Sequence, residues 1–331
     1  MPKNIMPPGW EPPFPAWQSV WRDTNDPLLT AYFGIQAKQP ALLEHWATPA
    51  FSSQYAPLSL ERGSYVDQSG VKNYLYIAYW RLSEYQRWWS LEGNSGWWAN
   101  RARLSEDAGY WREIVVMQFD RFETLHSVDE PHGVGVSADG MDGPMEEHGY
   151  SGAMRDRIPL SAEDDMKEIA SIHTPLQAQV KDGGARVLVV PPENMCVIRS
   201  GQNWSFCETE EKAYYLEHLY PVLLEGMHYL RDNPAESNCY SLRFVDNKDQ
   251  AWGCVEQSFG LGYSTDLYAF ENWARDHPTH LAIFGNFMQM VEAFGEELKL
   301  RLWHEVTVLQ KDDCEFEYIG CHPKTGLLGY I

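Results

Sequence analysis

Two histidines straddle a proline in "RDHPTHLAIFGNFMQMVEAF", at the head of an apolar run. Pro278 suits the first turn of a helix, where its missing N–H would have no intrahelical partner. A helix starting there places His280, Phe284, Phe287, Val291 and Phe294 on one apolar face. His280 is therefore expected to point into the core or an apolar pocket, and His277 to cap the helix or lie at the surface. In "LKLRLWHEVTVLQ" a strand period makes a similar point: Leu300, Leu302, His304, Val306 and Val308 share one side, and Arg301, Trp303, Glu305 and Thr307 the other.

A single histidine on an apolar face is more often a hydrogen-bonded core residue than a ligand. Two on neighbouring elements point to an apolar cavity with imidazole nitrogens inside. Zinc would want three or four ligands, and no H-E-x-x-H or cysteine set supplies them. A 2-His-1-carboxylate iron site from His277, His280 and a glutamate has no diagnostic spacing. Haem fits the pattern better, since it needs one axial imidazole, a large apolar slot and a distal polar group.

The elements that must hold these residues follow from periodicity. After an extended, proline-rich arm (residues 1–25), "LLTAYFGIQAK", "NYLYIAYW" and "GYWREIVVMQF" read as strands, with helices at "PALLEHWATPAF" and "SEYQRWWSLEG". The pattern recurs towards the other end. There "SNCYSLRFV" and "AWGCVEQSFGLGY" are strands, "STDLYAFENWARD" and the segment from Pro278 are helices, and the His304 strand closes the series. W-R-E-I-V-V from Trp111 aligns with W-H-E-V-T-V from Trp303. This supports an α+β architecture of two ferredoxin-like halves (about 26–126 and 185–322) in one domain, 26–331, forming a barrel-like sheet with helices outside. The Gly-rich, acidic stretch 127–150 reads as a connecting loop or lid. "GVGVSA" within it follows no buried strand and is not a dinucleotide fingerprint.

The chain's 331 residues carry a net charge of −21, which argues against a nucleic-acid partner. No run approaches the ~20 apolar residues that span a bilayer, and "MPKNIMPPGWEPPFPAW" lacks the apolar centre of a signal peptide. Six cysteines without C-x-x-C spacing read as reduced thiols, and the expected location is the cytoplasm.

The motifs "PPFPAW", "FETLH", "EEHGYSGAMRDRIP", "VIRSGQNWS", "RDHPTHLAIF", "RLWHEV" and "CHPKTG" together resemble the haem-containing aldoxime dehydratases over most of the chain. The resemblance implies haem b, ferrous in the active form, with His280 as its proximal ligand and His304 as the distal catalytic histidine. It also implies that Ser200 hydrogen-bonds the substrate hydroxyl and that Arg157 and Glu123 belong to the same site. Taken without the resemblance, Ser200 would be a satisfied hydroxyl about as often as not, while Arg157 and Glu123 would default to solvated charges. His277 reads as structural, His322 as a loop residue near the pocket at most, and the pairs Trp88–Trp89 and Trp97–Trp98 as core.

The implied reaction takes an aldoxime, R–CH=N–OH, to a nitrile and water, with the oxime nitrogen on ferrous haem. His304 then acts first as acid and afterwards as base, a role suited to a group with an ordinary pKa of about 6.5. The rivals are another haem enzyme of the duplicated α+β type (peroxidase-like), a non-catalytic haem-binding protein, and a non-haem iron enzyme. A homodimer is expected from the scaffold type.

Overall fold

The strand Leu28–Gln36 (β1) is buried at every position. Such a strand must be covered on both faces, and its side chains alternate between two packing layers. Leu28 and Tyr32 enter the inner layer; Leu29, Ala31, Phe33 and Ile35 enter a layer beneath helices. The computed structural model, which describes residues 5–168 and 171–331, repeats this arrangement along one large sheet.

The strands that follow are Ser59–Val66 (β2), Lys72–Arg81 (β3), Gly109–Met117 (β4) and Phe122–His126 (β5). Then come Ala178–Lys181 (β6), Arg186–Val189 (β7), Cys196–Asn203 (β8) and Cys239–Lys248 (β9). Cys254–Ser264 (β10), Arg301–Val308 (β11) and Glu315–Ile319 (β12) complete the twelve. The order is β5-β11-β8-β10-β9-β2-β3-β1-β4-β12-β7-β6, antiparallel throughout.

The expected barrel is not closed by hydrogen bonds, because the terminal strands β5 and β6 do not pair with each other. The N-terminal arm covers the β5 edge instead. Trp17 and His126 exchange two backbone hydrogen bonds of 2.8 Å, which blunts an otherwise open edge. What the structure supports is an α+β fold built on one large antiparallel sheet.

Helices Ala41–Ala50 (α1), Leu82–Ser90 (α2) and Glu92–Ala99 (α3) cover β1, β3 and β4. The tryptophan pairs pack in that layer, where Trp88 and Trp98 are fully buried around Phe33 and Trp46. Tyr220–Asp232 (α4), Leu267–Asp276 (α5) and Pro278–Phe294 (α6) cover β8 to β11. Sequence periodicity passes over β2 and α4. Pro221 sits in the first turn of α4, where its missing N–H is tolerated, and a π turn, Tyr215–Leu219, precedes it.

The two strand blocks share a detail of packing. Gly34 pairs with Trp111 and Gly201 with Trp303, and at each glycine a Cβ would overlap the paired indole. Only glycine admits the ring at these two positions.

Candidate active site

Strand alternation sends Ser200 and His304 out of the same face of the sheet. β8 and β11 are neighbours, and these two residues are directly opposed in register. On the other side of β11, β5 pairs Leu125 with His304 and Glu123 with Val306, so Glu123 joins the same face two positions away. α6 lies over this face: Phe287 and Met290 belong to the cluster that Leu302 packs against, and Ile283 and Ile198 both pack against the cluster containing Val306.

Arg157 reaches the group from the end of a single helical turn, Ala153–Asp156. Its Nε donates to Glu123 Oε2 at 2.7 Å, and its Nη1 to the Glu147 carbonyl at 2.6 Å. Its Nη2 lies 3.0 Å from His304 Nε2, and Glu123 Oε1 lies 2.9 Å from the same nitrogen. The Arg157 and Glu123 side chains are 4% and 1% exposed, whereas His304 retains 22%. Burial alone would raise the Glu123 carboxyl, but the Arg157 guanidinium and His304 outweigh it and hold the pKa at about 2. The acid is thus ionised throughout the neutral range.

His304 Nε2 therefore has a partner in either state: it accepts from Arg157 when bare, or faces the Glu123 carboxylate when it carries a proton. Nδ1 has no partner among the described residues, and neither does the Ser200 hydroxyl. Both are free to engage a ligand. Cys196 and Ile198 share the Ser200 face, as strand alternation requires.

Behind this face lie the partners on the alternate positions. Glu305 is buried, accepting from the Val134 backbone N–H at 2.7 Å and from Tyr79 at 3.2 Å. Arg199 forms a two-pronged pair with Glu61. Burial lifts the Glu305 carboxyl to about 7 against the opposing pull of Arg199. A carboxyl raised in the folded state stabilises the fold fully below its unfolded pKa of about 4.5, and that contribution is lost as pH rises through 7. Glu305→Gln is expected to flatten the pH dependence of stability between about pH 4.5 and 8. The unfolding free energy from denaturant titrations should change by up to roughly 3 kcal/mol across that window in the wild type relative to the variant.

One residue near the site escapes sequence reasoning. His148 is 1% exposed, and neither of its ring nitrogens has a partner among the described residues. Burial, with Arg157 nearby, pushes its pKa down to about 4, so the ring is neutral. It packs against Phe14, which meets Phe287 of α6 edge-on at 5.2 Å. His148 lies in a Gly-rich acidic loop with no periodicity to mark it as buried. Its only signal is its place in "EEHGYSGAMRDRIP".

His280 stands apart from the Arg157 group, on the first turns of α6. Its ring meets Trp273 edge-on at 4.7 Å and reaches the backbone of Ala274, while Nδ1 is buried without a partner among the described residues. Burial lowers its pKa, leaving a neutral imidazole with a nitrogen to offer. The face expected to be wholly buried is not: Phe284 is 37% exposed, and the adjacent Leu281 50%. A free imidazole nitrogen beside bare apolar side chains is what an axial ligand for a porphyrin requires. The donor set fits haem.

His277 caps α6, with Nδ1 2.9 Å from the Thr279 hydroxyl, and stacks on Tyr229 at 3.7 Å. That removes it from an iron site with His280, and no three potential metal ligands cluster among the described residues. His322 pairs with Asp67 at 2.8 Å, next to β2, and makes no contact with the His304 group. All six cysteines are free. No helix among the described residues is long and apolar enough to cross a membrane.

The chain is similar to known proteins over almost its whole length. The family model of the haem-containing dehydratases matches residues 31–327. The chain is 38% identical to an aliphatic aldoxime dehydratase of Rhodococcus globerulus, covering 98% of this chain and 92% of that one. It is 34% identical to a phenylacetaldoxime dehydratase of Bacillus sp. (strain OxB-1), covering 98% and 94%. A crystal structure of an aldoxime dehydratase in complex with butyraldoxime matches with a TM-score of 0.92 at 35% identity, over 99% of this chain and 92% of that one.

Proposed function

The chain belongs to the haem-containing dehydratase family, and from that premise we propose that it converts an aldoxime, R–CH=N–OH, into the nitrile R–C≡N and water. The observation that carries the residue assignment is His304 Nε2, shared between Arg157 at 3.0 Å and Glu123 at 2.9 Å, with the unpartnered Ser200 hydroxyl on the adjoining strand.

The reaction breaks one N–O and one C–H bond and is redox-neutral overall. Hydroxide is a poor leaving group from nitrogen unless it is protonated as it departs. The Ser200 hydroxyl donates to the oxime oxygen and sets its direction. His304 passes its Nδ1 proton to that oxygen, which leaves as water. The neutral ring then takes the carbon-bound proton back onto Nδ1, and the electron pair released completes the C≡N bond. Throughout, Nε2 remains against Glu123 or Arg157, so the ring need not turn between its two duties. Held by His280, haem b in its ferrous state supplies a Lewis acid and an electron reservoir for this chemistry.

The two blocks β2-β3-β1-β4 and β9-β10-β8-β11 have the same chain-order pattern, and the matched Gly34–Trp111 and Gly201–Trp303 pairs support reading them as duplicated ferredoxin-like halves. On this reading 26–331 is one haem domain preceded by the arm 1–25, with 127–150 linking the halves. The second half carries His280, Ser200 and His304. In the first half, the volume beneath the helices is filled by tryptophans. We place the protein in the cytoplasm as a homodimer.

Purified protein, reduced and given butyraldoxime without further oxidant, is expected to yield butyronitrile in proportion to oxime consumed, with no continuing demand for reductant. Turnover of peroxide with none of the oxime would overturn this reading in favour of a peroxidase.

A further inference from the structure

The sheet is interrupted where its two halves meet. β9 and β2 pair over three positions only, Asp246 with Ser64, Asn247 with Gly63 and Lys248 with Arg62. Beyond them the strands diverge, and the edge of Ser241–Val245 that faces β2 has no strand to pair with. A cleft of about 560 Å³ occupies the divergence, bounded by α4 and by the C-terminal segment that includes Lys324 and Tyr330. Pockets of this size accommodate small organic ligands.

The charges around the cleft do not cancel. Asp67 is saturated by the Ser69 and Val71 backbone N–H groups, by Asn73 and by His322. Asp232 is held by Arg231 and Gln68, and Asp246 has Lys248 at 3.9 Å. Arg243, at the floor, is fully engaged by Glu113. By contrast, the ammonium groups of Lys72 and Lys324 have no ion-pair partner among the described residues. Burial and the nearby Lys248 push the Lys72 pKa down, while the Asp246 carboxylate pulls it the other way. In a chain of net charge −21, two ammoniums without an ion pair on one cleft, one of them exposed, give an anion a place to bind. The remaining wall is aromatic. Tyr240 is 4% exposed, its hydroxyl has no partner among the described residues, and its ring meets Tyr330 edge-on at 4.8 Å.

We propose that this cleft, at the junction of the halves, binds a small organic carboxylate. Lys72 and Lys324 recognise the charge, free edge N–H groups of β9 share its oxygens, and Tyr240, Tyr330 and Phe244 pack on the apolar body. The site is formed by residues outside the His304 group and stands whether or not the dehydratase assignment does. The same chemistry would suit the carboxylates of the haem, so the test separates a free carboxylate from that source.

Phenylacetate and its uncharged analogue phenylacetamide are titrated calorimetrically into the haem-loaded protein. Phenylacetate is expected to bind once per chain, and phenylacetamide more weakly by about tenfold or more. The Lys72→Gln/Lys324→Gln variant should lose phenylacetate affinity by a similar factor, with an unchanged Soret band per chain and unchanged nitrile formation. Absence of phenylacetate binding, equal binding of the amide, or undiminished binding by the variant would each overturn the proposal. Loss of haem from the variant would also overturn it, by assigning the two lysines to the haem's own carboxylates.

Discussion

His304→Ala lowers aldoxime turnover by roughly 10²–10⁴-fold, the usual contribution of a general acid–base group, while haem content stays at the wild-type level. The separation of effects follows from position. His304 sits on β11, and the residue proposed to hold haem is His280, on α6. Removing the imidazole leaves the 2.7 Å pair between Arg157 and Glu123 intact, so no buried charge is stranded and the site should stay folded. Glu123→Gln is the informative contrast, because it strands the buried Arg157 guanidinium and should cost stability as well as rate. Steady-state kinetics alongside the Soret absorbance of each variant check the prediction. Near-normal turnover by haem-loaded His304→Ala would remove His304 from the mechanism.

His280→Ala abolishes stable haem binding, and turnover falls with it to the level of residual haem. Haem stays on a protein chiefly through its axial bond and the surrounding apolar contact. With the imidazole gone, Leu281 and Phe284 offer surface without a bond. The helix itself should persist, since Phe287 and Met290 anchor α6 and His277 caps it. The expected result is a folded protein with unchanged far-ultraviolet circular dichroism and little or no Soret band, partly restored by added imidazole. Full haem retention would move the axial ligand elsewhere.

Both histidines are legible in the sequence because each lies in a long periodic element, α6 by the helical repeat and β11 by alternation. Their partners are not, for a physical reason in each case. Glu123 belongs to a five-residue strand, too short for alternation to distinguish a buried acid from a solvated one. Arg157 follows a single helical turn, and its burial depends on Glu123 and on a carbonyl of the 127–150 loop. His148 lies within that loop. Ser200 occupies the expected strand face, but its opposition to His304 is a matter of register, which pairs residues 104 positions apart.

The fold divides the same way. Six aligned positions from Trp111 and from Trp303, three of them identical, are the sequence's hint of two halves, and the packing of each indole onto a glycine occurs at both. Whether the sheet closes is decided by its terminal strands, and nothing in the W-x-E pattern describes β5, β6 or the arm that covers the β5 edge. The cleft between β9 and β2 is equally invisible, since it arises where strands nearly two hundred residues apart stop pairing.

The most direct test of the central claim is the visible spectrum of the purified protein, ferric and then dithionite-reduced, with butyraldoxime added last. A Soret band that shifts on adding oxime to the reduced protein is the result expected of a haem-containing dehydratase with an aldoxime site. A protein without a Soret band even after haem is supplied, or a reduced band indifferent to the oxime, would contradict it.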